Sequence, residues 1–112
     1  MLFKPEHKDM ILKGTKTATR RAWKKPMVKV GNIYKAKLKM ISKEYFTRIK
    51  VTKLFKQKLR DMNIRDVHKE GYKTFWDFKK VWIKINKSWN PYLEVYVIEF
   101  EVVGRRKNVQ KM

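Results

Sequence analysis

The densest run of reactive side chains is Gly14-Thr15-Lys16-Thr17-Ala18-Thr19-Arg20-Arg21, continued by Trp23, Lys24 and Lys25. It combines hydroxyls, amines and guanidinium groups with no neighbouring acid to neutralise them. That set suits a ligand carrying phosphate or carbonyl oxygens. Gly14 adds backbone that can lie close to a bound group. The run is not a phosphate loop of the nucleoside-triphosphatase type, because the glycine spacing before Gly-Lys-Ser/Thr is absent. Cationic neighbours lower the pKa of Lys16 by like-charge repulsion, which sets it apart from an ordinary surface amine. For Arg20 and Arg21 the plainer reading is a solvated strand edge.

A second set of cations, Lys35, Lys37, Lys39, Arg48 and Lys50, alternates with apolar residues and forms an outward row. Joined to Lys16, Arg20, Arg21, Lys24 and Lys25, it makes a footprint long enough to hold RNA through salt-dependent phosphate contacts. Trp23, Trp89 and Tyr92 fall outside the clean periodic patterns and offer either stacking surfaces for an unpaired base or ordinary packing. The chain has no cysteine, which excludes disulfides, thiolate zinc sites and cysteine nucleophiles. His7 and His68 are the only imidazoles, so no metal site is expected, and no cofactor is implied. His68 reads as a solvated helix residue, and His7 has no partner motif.

The charge balance agrees with a polyanionic partner. The 112 residues carry 30 Lys plus Arg against 10 Asp plus Glu, a formal charge of +20. Between Met10 and Arg60 there are 17 basic residues and one acid, Glu44. Such asymmetry makes RNA or DNA the first candidate. Lysine enrichment also occurs in heat-adapted proteins, but there it accompanies abundant glutamate, which is missing here. With 43% hydrophobic residues the chain can bury a core and fits one domain. It has no apolar run of membrane-spanning length and no secretory hydrophobic region, so a cytoplasmic protein without membrane contact is expected.

The elements that must position these residues follow from local pattern. Leu2-Phe3 predicts a short strand. Pro5 then opens a helix to about Lys13, with Gly14 as its C-cap. The threonines of residues 15–21 favour extended chain. Gly31-Asn32 turns into a strand over 33–41, with Tyr34, Ala36, Leu38 and Met40 alternating against lysines. A second strand over 45–55 pairs with it through Ser42-Lys43-Glu44. Asn63 to Asp66 reads as a capping box for a short helix closing near Gly71, and Thr74 caps a longer one. There Phe75, Phe78, Trp82 and Ile85 make a stripe read as core. A last strand spans Leu93 to Val103. The domain is set at residues 1–104, with a basic tail at 105–112. Two short helices beside such strands imply an α+β fold, a closed or half-closed sheet with helices on its flank.

At this point the chain resembles the ASCH family of small PUA-like β-barrels associated with RNA. The resemblance rests on the helix ending in Gly14, Lys16-Thr17-x-Thr19-x-Arg21, Val30-Gly31-x-x-Tyr34, Asp61-Met62, Lys69-Glu70-Gly71-Tyr72 and Tyr96-Val97-Ile98-Glu99-Phe100. It implies a PUA-like, mostly antiparallel β-barrel with flanking short helices and a basic ligand cleft between barrel and helices. RNA or modified-nucleoside binding is the expected function. One branch of the family hydrolyses the amide of N4-acetylcytidine with a lysine, a threonine and a glutamate, and those roles fall by position on Lys16, Thr19 and Glu70. Amidohydrolase is therefore the alternative function and ribonuclease a weaker third. In a regular strand Lys16 and Thr19, three apart, point to opposite faces, so a bulge or irregular strand start is needed to bring both into one cleft. For Glu70 the plainer reading is a helix-end acid paired with a lysine.

Overall fold

The computed structural model describes residues 1–103, and the basic tail expected at 105–112 lies outside them. Helix α1 spans Pro5–Lys13. Proline at its start gives up an N–H that the first turn leaves unpaired in any case. Gly14 ends it in the left-handed region at φ 82°. The strands are β1 (Ala18–Arg21), β2 (Ile33–Ala36), β3 (Thr47–Lys58) and β4 (Glu94–Val103). Helices α2 (Ile64–Lys69) and α3 (Phe75–Asn86) lie between β3 and β4 in the chain, after a 3-10 turn at Leu59–Asp61. All strand pairs are antiparallel in the order β1-β4-β3-β2, and the sheet curls into a half-barrel flanked by the helices.

Both helix starts form as their side chains dictate. Asp66 N–H donates to Asn63 Oδ1 at 2.9 Å and Asn63 N–H donates to Asp66 Oδ2 at 3.0 Å, a reciprocal capping box. Asp77 N–H donates to Thr74 Oγ1 at 3.1 Å. Behind the α3 cap, Phe78 and Trp82 are buried with Leu59, Val67 and Val95. Phe75 and Ile85, at the ends of the expected stripe, are 38% and 40% exposed. On the opposite face of the sheet, Phe3, Ile11, Ala36, Ile49 and Phe100 form one packed group and Val28, Val51, Tyr96 and Ile98 another. β4 therefore lies between two apolar layers and is buried on both faces from Val95 to Ile98.

Three sequence expectations change. β2 stops at Ala36 instead of continuing to residue 41. The N-terminal segment takes over its edge there: Lys37 N–H donates to Met1 O and Phe3 N–H to Lys37 O, each at 2.8 Å. Leu38 and Met40 lie beyond the strand and stand 36% and 75% exposed. The link from β2 to β3 is a ten-residue loop over 37–46, in which Lys37 Nζ holds Ser42 O at 2.7 Å. β3 also runs beyond residue 55 to Lys58, shifting its register against β4 between Val51 and Lys53.

Candidate functional site

Among the described residues β1 pairs only with β4, which leaves it an edge strand. A cavity of about 510 Å³ wraps that edge, bounded by the N-terminal segment, α1, the end of α2 and α3. Its lining includes Lys16, Thr19, Arg20 and Arg21, with Glu70 as the single acid and Tyr72, Phe78 and Trp82 opposite. The edge position settles how side chains from both faces reach one cleft. The register of β1 against β4 runs unbroken from Ala18 to Arg21, and Lys16 and Thr17 lie before the strand in irregular backbone, so the expected irregular strand start, not a bulge within β1, brings Lys16 and Thr19 to one cleft.

On the helix side, Lys16 and Arg20 converge on Glu70. Lys16 Nζ donates to Glu70 Oε1 at 3.0 Å and to the Glu70 carbonyl at 3.2 Å. Arg20 donates to Glu70 Oε2 at 2.8 Å and to Gln57 Oε1 at 2.7 Å, with Asp66 Oδ2 at 3.7 Å. The Lys16 and Arg20 side chains are each 1% exposed, and that of Glu70 is 4%. Thr17 N–H donates to Lys69 O at 2.7 Å, so the carbonyls at the end of α2 find donors in Lys16 and Thr17, just before β1. Burial pushes the Lys16 ammonium below its ordinary pKa; Glu70 opposes this, and Arg21 and Arg20 push it further down.

On the other side, Arg21 Nε donates to Thr19 Oγ1 at 3.2 Å and Arg21 NH2 to Leu2 O at 2.8 Å, with the guanidinium 4.9 Å from the Phe3 ring centre. Lys16 and Glu70 thus touch directly, whereas Thr19 shares their cavity but takes its hydrogen bond from Arg21. Trp23 also lines the cavity and packs against Tyr96. Gly14, Thr17, Lys24 and Lys25 are not part of that lining. Lys35 and Arg48 are cross-strand partners on the outer face, where Lys50 lies opposite Glu101. Lys39 is exposed on the 37–46 loop, and Lys37 is occupied by Ser42. Trp89 packs edge-on against Phe75 and Phe78. Tyr92 is 63% exposed.

Sequence reasoning missed His7 and Tyr72. Both line the cavity, with His7 Nε2 and Tyr72 Oη hydrogen-bonded at 2.6 Å across 65 residues of chain. No local pattern signals that pair; only the position of Tyr72 directly after Glu70-Gly71 places it near the site. Burial, together with the charges of Lys16, Arg21 and Lys4, holds the His7 pKa down to about 4. Burial pushes the Tyr72 phenol up, and the charges of Glu70 and Glu6 add to this. The pair is neutral at pH 7.

A pH dependence follows. The unfolded chain protonates His7 at about the ordinary histidine value of 6.5 and the folded chain only near 4. The unfolded state therefore binds more protons in that window, and stability falls as pH drops through it. The full shift corresponds to about 3 kcal/mol, which hydration through the cavity mouth reduces to about 1–2 kcal/mol. Urea melts at pH 7 and pH 4.5 should show this loss in the wild type and a smaller one in His7→Gln. An equal loss in both proteins would contradict it.

No curated protein is significantly similar in sequence. Among solved structures, the fold resembles an ASCH domain of Lactobacillus crispatus JV V101, with a TM-score of 0.70 at 17% identity, over 86% of this chain and 69% of that one. It also resembles a protein of Enterococcus faecalis V583, with a TM-score of 0.62 at 17% identity, over 88% of this chain and 70% of that one. A Zymomonas mobilis ASCH protein carrying a Tyr-to-Phe substitution matches with a TM-score of 0.62 at 10% identity, over 90% of this chain and 66% of that one. The model of the ASCH domain family matches residues 1–104, nearly the whole chain and every strand and helix that shapes the cavity. The half-barrel, its β1 edge strand and that match together make this chain a member of the ASCH domain family.

Proposed function

We propose that the protein binds RNA by lodging an unpaired or modified nucleoside in the cavity at the β1 edge. The observation that carries this reading is the makeup of one lining: Lys16, Arg20 and Arg21 with a single acid, set against Tyr72, Phe78 and Trp82. Cationic donors match carbonyl and phosphate oxygens, and aromatic faces match a base whatever its identity. A volume of about 510 Å³ lies in the ordinary range for small-molecule sites. The excess of cations across the chain supplies attraction for the rest of an RNA.

Calorimetric titration with cytidine, N4-acetylcytidine and a short single-stranded RNA tests it. Arg21→Gln should weaken nucleoside binding by about tenfold or more, as expected for loss of a charge-assisted contact. Lys24→Gln with Lys25→Gln, outside the cavity, should leave nucleoside binding unchanged. Absence of nucleoside binding at millimolar concentration would refute the reading.

The buried Lys16 favours a second reading, hydrolysis of the acetyl amide of N4-acetylcytidine. An ammonium held below its ordinary pKa gives up its proton more readily, which suits the base that a threonine nucleophile needs. Thr19 Oγ1 accepts from Arg21, so its own proton remains available to donate. Attack by Thr19 Oγ on the acetyl carbon passes that proton to the Lys16 amine and on to the departing cytidine amine; water then cleaves the acetyl-threonine ester to acetate. Arg21 stands beside Thr19, where the oxyanion would form. Acetate release that disappears in both Lys16→Met and Thr19→Val would establish this activity, and binding without release would leave recognition alone.

A further inference from the structure

A second hollow, about 490 Å³, adjoins the first cavity. Leu38 lines both. Helix α1 also serves both, because His7 lines the first and its neighbour Lys8 lines the second. The two concavities therefore share a ridge made by one loop residue and one helix turn. The second hollow carries Lys8, Lys39 and Lys43 against the one acid Glu44, together with Tyr45.

We propose that this second hollow holds the neighbouring nucleotide of a single-stranded RNA whose first nucleoside occupies the β1-edge cavity. The ligand is then a chain, not a free nucleoside. The inference rests on the nucleoside reading of the first cavity and extends it.

The chemistry of the hollow differs from that of the first cavity in a way that suits this division. The first holds its cations rigidly on Glu70, Gln57 and Leu2, which serves selection of one group by fixed donors. The second presents Lys8, Lys39 and Lys43 without such bonds among the described residues, and these attract a phosphate by charge and tolerate many positions of it. Tyr45 is 44% exposed, and Lys35 Nζ sits 5.0 Å from its ring centre. That cation covers one ring face and leaves a second for a base. The loop that carries Lys39, Lys43 and Tyr45 is held by the Lys37 to Ser42 bond at 2.7 Å and by Glu44 N–H donating to Ser42 Oγ at 3.0 Å.

The test compares cytidine, followed by calorimetry, with tetracytidylate labelled at its 3′ end, followed by fluorescence anisotropy. Tetracytidylate should bind at least about tenfold tighter than cytidine at low salt. Lys39→Gln with Lys43→Gln should remove most of that gain, lower the logarithmic salt slope by about 1.4 and leave cytidine binding unchanged. Tyr45→Ala should weaken tetracytidylate alone. If cytidine binds and tetracytidylate binds no tighter, the second site is overturned while the first stands. If neither binds, both readings fall. Equal loss of both ligands in the double variant would overturn the second site, as would variants that bind tetracytidylate normally but lose affinity for phosphatidylserine vesicles.

Discussion

Glu70→Ala is expected to lower the unfolding free energy by about 3–5 kcal/mol, and Lys16→Met by no more than about 1 kcal/mol, although both remove the same ion pair. The asymmetry comes from what each leaves behind. Without Glu70, two side chains that are each 1% exposed, Lys16 and Arg20, lose the carboxylate that both contact. Without Lys16, Glu70 keeps Arg20 at 2.8 Å, and methionine fills the space of the lysine stem with no charge to desolvate. The depressed pKa of Lys16 carries the same message. Where the folded value lies below the ordinary 10.5, the unfolded state binds more protons, so stability rises with pH through that window and is reduced below it. Lys16→Met should flatten that rise. Guanidinium melts read the stabilities, and nucleoside titration should show binding lost in both variants. A Lys16→Met protein as unstable as Glu70→Ala would show that the bonds of the ammonium outweigh the cost of burying it.

Gly71→Ala should cost about 2–4 kcal/mol and Gly14→Ala only about 1 kcal/mol. Both glycines have positive φ, 99° and 82°. They differ in surroundings. A Cβ at Gly14 meets nothing within 4 Å, so only the backbone conformation opposes it. A Cβ at Gly71 would lie 2.8 Å from Met10 Sδ and 3.3 Å from Lys16 Cβ. The Met10 sulfur can move on a flexible chain, but Lys16 Cβ is held by backbone bonds on either side, Lys16 N–H to Met10 O at 3.0 Å and Thr17 N–H to Lys69 O at 2.7 Å. Relief of the clash therefore displaces Lys16 relative to Glu70. Ligand affinity should fall in Gly71→Ala and hold in Gly14→Ala. Adding Met10→Ala to Gly71→Ala should recover part of the stability and little of the affinity. Full recovery of both would mean that Met10 alone limits the space.

The parts of the fold visible in the residues are those governed by neighbours in the chain. Pro5 and Gly14 bound α1, and Asn63 with Asp66 and Thr74 with Asp77 mark two helix starts, because each cap is satisfied within three residues. The alternation of Ile49 and Val51 against Arg48 and Lys50 reads correctly for the same reason. The end of β2 does not. Leu38 and Met40 continue its alternation, yet the strand stops at Ala36, and the next residue, Lys37, bonds Met1 and Phe3, more than thirty residues away. Phe75 and Ile85 share the spacing of Phe78 and Trp82, yet they lie beyond the ends of the surface that α3 covers. Lys16, Arg20 and Arg21 stand out by composition and Glu70 by family resemblance, whereas His7 and Tyr72 carry no local mark of their partnership.

By itself the order of residues determined the charge, the helix starts, the family and the cations in and just before β1, since each depends on residue type and short spacing; the end of α3, read at Trp89-Asn90-Pro91, falls instead at Asn86. The tertiary structure alone decided that β1 is an edge strand. That placement lets Lys16 and Arg20 turn to Glu70 while Thr19 and Arg21 turn to the N-terminal segment, with all of them around one cavity. It also decided that His7 meets Tyr72, and that Leu38 stands between two hollows. These contacts join segments tens of residues apart, and their energies come from burial and desolvation, which exist only after the chain has closed around them.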